Sequence, residues 1–229
     1  MRTATENVLV RADILLRGNL PKSPAAGSAR TVFHTALLVA LFGATYGAAM
    51  GTFGGIYGQR ALQPLYSAIK VPILQLATFA ICVPSFFVFN TLIGLRRDFV
   101  DVMSALVSTQ AIFSILLAAL APLAAVWYTA DRDYEHAVLF NGVMFAIACF
   151  AAQRRLRQEY RLLIQRDARH RRLLWLWLIL FAFVSIQMAW VLRPFIGDPE
   201  GPVRFFRDEK WQNAHVIVGK MIWRLVCGR

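Results

Sequence analysis

The stretch VPILQLATFAICVPSFFVFNTLIGL, residues 71–95, runs for 25 residues without a single Asp, Glu, Lys or Arg. About 20 apolar residues in a helix are enough to cross the roughly 30 Å hydrocarbon core of a bilayer. A helix also satisfies its backbone polar groups internally, as a segment surrounded by lipid requires. We therefore predict that this stretch forms a transmembrane helix.

Four further stretches of the chain are equally free of charge. The sequence is 58% apolar and its mean hydropathy is +0.51, well above an ordinary soluble domain. Because the bilayer core admits charge only at high cost, this segregation predicts an all-α polytopic bundle of about five transmembrane helices. The first helix is expected to be retained, since it lacks the compact basic start of a signal peptide. The four stretches are residues 31–52, 102–128, 137–153 and 173–192.

Amphipathic segments on either side of the bundle divide the chain into three regions. The N-terminal region is predicted to be an interfacial helix and a linker, and the C-terminal region a tail with its own interfacial helix at residues 211–226. That helix has two basic residues within an apolar run of sixteen, which favours lying on the membrane over a sixth crossing. The three regions are residues 1–30, 31–193 and 194–229.

The fourth span is predicted to continue beyond the membrane as an amphipathic helix. Leu156, Tyr160 and Leu163 recur at helical spacing between arginines. Within the same segment, Arg155 and Glu159 are spaced to form an ion pair one helical turn apart.

The distribution of basic residues predicts the orientation of the chain. Loops on the side of the N-terminus carry fifteen Lys and Arg, whereas the alternate loops carry three. Since cytoplasmic loops are the basic ones, we expect the N-terminus in the cytoplasm and the C-terminus outside. The expected location is the bacterial inner membrane.

The loop between the fourth and fifth spans is the most basic part of the chain. We expect its arginines to bind anionic lipid headgroups at the cytoplasmic face. A net charge of +12 also raises the question of nucleic acid, but the charge lies beside membrane spans and lacks an aromatic stacking platform, so nucleic acid is not expected as a partner. The arginines are Arg154, Arg155, Arg157, Arg161, Arg166, Arg169, Arg171 and Arg172.

Glycines repeat every four residues in the first span, within FGATYGAAMGTFGG, residues 42–55. In lipid, helices associate by close backbone approach over such small residues. The row Gly43, Gly47, Gly51 and Gly55 is therefore predicted to be a glycine-zipper packing face, against another helix of this chain or, as the alternative, in a homo-oligomer.

Polar side chains also lie within the predicted spans, where they need partners inside the bundle. Interhelical hydrogen bonds are the favoured interpretation, and a substrate pathway is the alternative. The residues are Gln75, Thr78, Asn90, Gln110, Asn141 and Gln187.

No motif for catalysis, cofactor binding or metal binding is present in the sequence. The acidic loop DRDYEH, residues 131–136, lacks the glycine turn and the terminal glutamate of a calcium loop. Cys82, Cys149 and Cys227 imply no disulfide framework. A faint cluster of titratable residues beside the last span is the only hint of an enzyme: Arg193, Asp198, Asp208, Glu209 and His215.

Several short motifs resemble those of uncharacterised bacterial polytopic membrane proteins. They are WVLRPFIG at residues 190–197, PVRFF at 202–206 with the later Asn213, KVP at 70–72 and PSFF at 84–87. The layout of a basic amphipathic N-terminus and five spans also resembles the Yip1-like family, whose members are associated with membrane trafficking and organisation. The long loop between the last two spans departs from that layout. Neither resemblance implies a catalytic residue.

The pattern as a whole favours a non-enzymatic membrane scaffold or a subunit of a membrane complex. Such a protein would present its basic helix and its external segment PFIGDPEGPVRFFRDEKWQN, residues 194–213, to protein partners. A channel or permease for a small solute is the second hypothesis, and a membrane enzyme the third.

Overall fold

The computed structural model describes residues 10, 12–16, 29–199 and 201–206. Over these residues the protein is all-helical, which confirms the predicted all-α membrane bundle. The predicted interfacial helix at residues 211–226 lies outside the described residues. The long helices are α1 (Ala29–Gly51), α2 (Leu62–Leu92), α3 (Phe99–Ala130), α4 (Tyr134–Arg166) and α5 (Arg169–Leu192).

All five helices are long and apolar enough to cross a membrane. At 31 to 33 residues, α2, α3 and α4 are each about 45–50 Å long, so they exceed the roughly 30 Å hydrocarbon core. Short connections make successive helices antiparallel, which gives the bundle two distinct ends. Residues 193–206, which follow α5, form a segment that we call the strap. We name the end of the bundle with this segment the strap end, and the end with the turn between α4 and α5 the arginine end.

Helix α1 packs against both α2 and α3, while α5 packs on the outer side of α2 and α4 on that of α3. A core cluster at the arginine end joins α2, α3, α4 and α5. At its centre the buried Trp177 ring makes edge contacts with Phe79 and Phe86, at 5.7 and 5.1 Å between centroids. Leu156 and Tyr160 belong to this cluster, so the apolar face of the α4 extension packs into the protein.

The predicted extension of the fourth span is confirmed, because α4 is one continuous helix to Arg166. Its predicted ion pair is also present, with 3.6 Å between Arg155 Nε and Glu159 Oε1. Of the predicted N-terminal helix, residues 12–16 are helical. Ala12 and Leu15 are buried there in a cluster with α1 and α3.

The start of the second helix differs from the prediction. Helix α2 begins at Leu62, nine residues before the predicted span. Lys70, which the hydropathy pattern placed in a loop, therefore lies within the helix and is fully buried. The predicted start of the second span at residue 71, with Lys70 in the preceding loop, is therefore wrong. The helix can begin earlier because its polar side chains have partners near the other end of the chain.

Candidate functional site

The strap, residues 193–206, folds back from the end of α5 onto the beginning of α2. Four polar side chains face the strap. Three recur at spacings of three and four residues on one side of α2, and the fourth lies in the short 3-10 helix Gly58–Ala61 just before it. They are Arg60, Gln63, Ser67 and Lys70, and all four are buried.

Arg60 holds the middle of the strap through main-chain carbonyl oxygens. Its Nη1 donates to Asp198 at 2.9 Å and to Pro199 at 3.0 Å, and its Nη2 donates to Gly197 and Phe53, both at 3.3 Å. The guanidinium lies directly against Gly54, whose φ of +78° and missing side chain make room for it. Arg60 thus ties the loop after α1 to the strap.

The other three side chains hold the beginning of the strap. Lys70 Nζ donates to the Pro194 carbonyl at 2.6 Å and lies 4.8 Å from the centre of the Phe205 ring. Ser67 Oγ and Gln63 Nε2 both donate to the Phe195 carbonyl, the latter at 3.2 Å. Within the described ranges, the salt bridges involve neither Lys70 nor Arg60. The two cations are solvated by carbonyl dipoles and an aromatic ring.

Glycines on α1 allow α2 to approach closely beside this site. A Cβ on Gly47 would overlap the Ser67 carbonyl group and lie 2.9 Å from the Cα of Ala68. A Cβ on Gly51 would lie 2.8 Å from the Gln63 carbonyl oxygen, and one on Gly43 3.3 Å from Gln75 Nε2.

Three of the four predicted packing glycines therefore lie against α2. Gly55 does not continue the row, because α1 ends at Gly51 and Gly55 lies in the following turn with φ of +94°.

Some of the predicted polar residues form hydrogen bonds between helices. Asn141 Oδ1 accepts from the Tyr46 hydroxyl at 2.9 Å, and its Nδ2 donates to the Tyr128 hydroxyl at 2.6 Å. Ser114 Oγ donates to Gln75 Oε1 at 2.5 Å and joins α3 to α2. The first network links α1, α3 and α4, so these polar groups fix how the helices pack.

Other polar atoms of the bundle are buried without a hydrogen-bond partner among the described residues. They include Gln75 Nε2, Thr78 Oγ1, Gln110 Oε1 and both amide atoms of Asn90. Gln187 Oε1 is a further case on α5. Buried polar groups are nearly always satisfied, so internal water is the expected partner at these positions.

The structure divides the eight arginines at the arginine end into two classes. Three have carboxylate partners: Arg155 with Glu159, Arg166 with Asp101 at 3.2 Å, and Arg169 with Asp167 at 2.7 Å. The other five have no such ion pair within the described part of the chain. They are Arg154, Arg157, Arg161, Arg171 and Arg172.

Asp167 lies in the short turn between α4 and α5. Hydrogen bonds from the side chain and the backbone amide of Arg169 lower the pKa of Asp167 to about 2. The carboxylate therefore stays charged at any physiological pH and holds the turn.

A buried histidine at the same end was not predicted from the sequence. His170 is fully buried, its Nε2 is 3.0 Å from Asp98 Oδ2, and its Nδ1 has no hydrogen-bond partner among the described residues. The partner precedes His170 by 72 positions, so spacing along the chain could not have revealed it. The contact fastens the start of α5 to the turn before α3.

The acidic loop before α4 acts as a helix cap. Asp133 Oδ1 accepts from the backbone amide of His136 at 3.0 Å, which satisfies a free donor at the start of the helix. Asp131 accepts hydrogen bonds from the Asp133 amide and the His136 ring, and these lower the pKa of Asp131. Among the described residues, no group of three or more His, Cys, Asp or Glu side chains could hold a metal ion.

The faint titratable cluster of the sequence is described only in part. Arg193 and Asp198 lie on the strap, whereas Asp208, Glu209 and His215 lie outside the described residues. Comparisons of the chain with protein-family models, with curated proteins and with solved structures found no match. The resemblances seen in the sequence stay untested. By its fold and composition the chain is a multi-pass membrane protein.

Proposed function

We propose that the protein is a non-enzymatic membrane scaffold or a subunit of a membrane complex. The observation that carries this proposal is the strap, held to α2 and to the chain just before it by four buried polar side chains. A hydrogen bond from a charged donor typically contributes about 1.5–3 kcal/mol, and Arg60 and Lys70 make several. A segment fastened in this way presents a surface of fixed shape to a partner.

The outer face of the strap has the mixed chemistry of a protein interface. Asp198, Pro199, Pro202, Arg204 and Phe206 are exposed there. Because the strap is fixed through its main chain, these exposed side chains lie on the face that a partner would contact. Binding to a preformed surface avoids most of the ordering cost that a flexible tail would incur.

Helix α5 supports the proposal within the membrane. It is the least buried of the five helices, and large apolar side chains form a stripe along its outer face at helical spacing. The stripe consists of Trp175, Ile179, Phe183 and Ile186. We propose that a partner helix packs there, beside the strap.

The arginine end completes the proposed scaffold. Its unpaired arginines are proposed to bind anionic headgroups on the cytoplasmic side of a bacterial inner membrane, with the strap outside. Each basic residue near an anionic surface contributes about 1 kcal/mol, so this end also stabilises the orientation.

Photo-crosslinking in native membranes tests the scaffold. A photoreactive amino acid is placed at Phe206 on the strap, at Phe183 on α5 or, as a control, at Leu139 on α4. The two apolar helix positions match well, with exposures of 57% and 68%. We expect protein adducts of discrete mass at Phe206 and Phe183 and none at Leu139. The scaffold proposal is wrong if neither of the first two positions gives a protein adduct.

The buried polar residues of α2 favour a second candidate function, a channel or permease for a small solute. Buried polar residues occur along α2 from the strap end to the arginine end: Gln63, Ser67, Lys70, Gln75, Thr78 and Asn90. Four of them, Gln63, Gln75, Thr78 and Asn90, have buried polar atoms without a hydrogen-bond partner among the described residues. In proteoliposomes of the purified chain, flux of water or a small polar solute should then exceed that of empty liposomes. The variant Gln75→Leu should lower it. Equal flux with and without protein excludes this candidate.

A further inference from the structure

A groove at the arginine end lies on the outer face of α4. It has a volume of about 430 Å³ and is lined by Phe150, Gln153, Arg154, Arg157, Gln158 and Arg161. These residues are three and four positions apart, so they form one stripe along the helix. The stripe continues toward the strap end as exposed apolar side chains: Leu139, Val143, Ile147 and Phe150.

The position of the arginines matches the boundary of the hydrocarbon core. The charged loop at residues 131–133 and the exposed Glu135 and His136 keep the beginning of α4 near water, so the core begins close to Ala137. Twenty residues at 1.5 Å each cover about 30 Å, which brings the opposite boundary to Leu156. Arg154 and Arg157 then lie at the edge of the hydrocarbon, and Arg161 about 8 Å beyond the boundary, within the headgroup layer.

In the part of the chain that the structure describes, none of the three arginines of the groove is paired with a carboxylate. The arginines that form salt bridges at this end are Arg155, Arg166 and Arg169. Arg157 lies with its guanidinium 5.8 Å from the centre of the Trp175 ring, a contact that keeps both its charge and its hydrogen-bond donors. A row of unpaired guanidinium groups beside an apolar stripe suits an anion with attached hydrocarbon chains.

We infer that this groove is a discrete site for one anionic phospholipid. The phosphate is bound by Arg154, Arg157 and Arg161, and the acyl chains lie along the stripe from Phe150 to Leu139. The inference rests on the proposed role of the arginine end at the membrane surface. It goes further in assigning the binding to three of the eight arginines and in naming one kind of occupant.

The test compares two pairs of unpaired, exposed arginines that differ only in their place. Purified, delipidated full-length protein in neutral detergent is titrated with dioctanoyl phosphatidylglycerol, and the shift in melting temperature gives the apparent affinity. The variant Arg154→Gln with Arg161→Gln removes two charges from the groove. The matched variant Arg171→Gln with Arg172→Gln removes two charges outside it.

We expect the groove variant to lose about 25-fold in apparent affinity, roughly fivefold per arginine, and the matched variant to stay within about threefold of the wild type. Dioctanoyl phosphatidylcholine should give no comparable shift. Equal losses in the two variants would mean diffuse attraction and would overturn the site. The same protection by inorganic phosphate at equal ionic strength would overturn the assignment to a lipid.

A further arm separates misfolding from loss of the site. If the double groove variant does not fold, Arg157→Gln is compared with Arg171→Gln, and about a fivefold difference is expected. An equal affinity of these two single variants contradicts the inference. Because the titration uses the purified chain alone, its result is independent of whether protein partners bind the strap or α5.

Discussion

Replacing Gly47 with alanine probes the contact between α1 and α2 by adding one methyl group. That methyl would overlap the Ser67 carbonyl and lie 2.9 Å from the Cα of Ala68. Both neighbours are backbone atoms of a helix, so no side chain can rotate away. Since carbon atoms pack at about 3.5–4.0 Å, the two helices have to separate by roughly 1 Å.

The expected cost follows from two opposing effects. Overpacking a well-packed site costs about 1–3 kcal/mol, and rigid neighbours place this site at the upper end. Alanine regains about 1 kcal/mol as the better helix former. The net loss is about 2 kcal/mol, which lowers the melting temperature of a protein of this size by about 4–8 °C.

Two other glycines provide internal controls in the same assay. A Cβ on Gly142 of α4 has nothing within 4 Å, and one on Gly43 meets Gln75 Nε2 at 3.3 Å. In thermal unfolding of the detergent-solubilised protein, Gly142→Ala should be neutral or slightly stabilising, and Gly43→Ala should lie between it and Gly47→Ala. If Gly47→Ala and Gly142→Ala melt at the same temperature, α1 and α2 are not in backbone contact and the reasoning fails.

Three more predictions concern other parts of the molecule. Cysteines introduced at residues 160–166 and 201–206 should react with a membrane-impermeant reagent from opposite sides, and labelling from one side only would contradict five crossings. Lys70→Met removes the donor to the Pro194 carbonyl, so hydrogen exchange should be faster in the strap than in the wild type, while exchange in α4 is unchanged. Folding lowers the pKa of Asp167 from 3.8 to about 2. The charged carboxylate therefore stabilises the folded state fully at pH values above its unfolded-state pKa, and this stabilisation is lost as the pH falls toward 2. The melting-temperature difference between the wild type and Asp167→Asn should therefore be constant from about pH 5 to 8 and shrink below about pH 4.

The pattern of apolar residues was enough to predict the five helices, because crossing a bilayer imposes a length and an absence of charge that are visible locally. It misplaced the beginning of α2 for a physical reason. A hydropathy scale assigns lysine to an aqueous environment. In the structure, however, the ammonium group of Lys70 donates to a carbonyl oxygen 124 positions away. A sum over neighbours in sequence cannot include a partner at that distance.

At the arginine end, partners that are distant in sequence also limited what could be predicted about the candidate site. The sequence predicted the eight arginines as one basic cluster, and spacing within a helix correctly paired Arg155 with Glu159. The pair of Arg166 with Asp101 spans 65 positions, so the sequence alone could not separate neutralised arginines from available ones. That separation is what defines the groove on α4.

The strap is bound through its main chain, so substitutions in the strap and substitutions in the residues that bind it should differ in their effects. The side chains of Arg60 and of α2 contact carbonyl oxygens that every amino acid carries. In a deep mutational scan, most outward-facing strap positions should accept many residues without loss of docking, whereas Arg60 and Lys70 should accept few. The strap is therefore a natural place to insert a peptide epitope or to alter partner preference while the bundle beneath it stays intact.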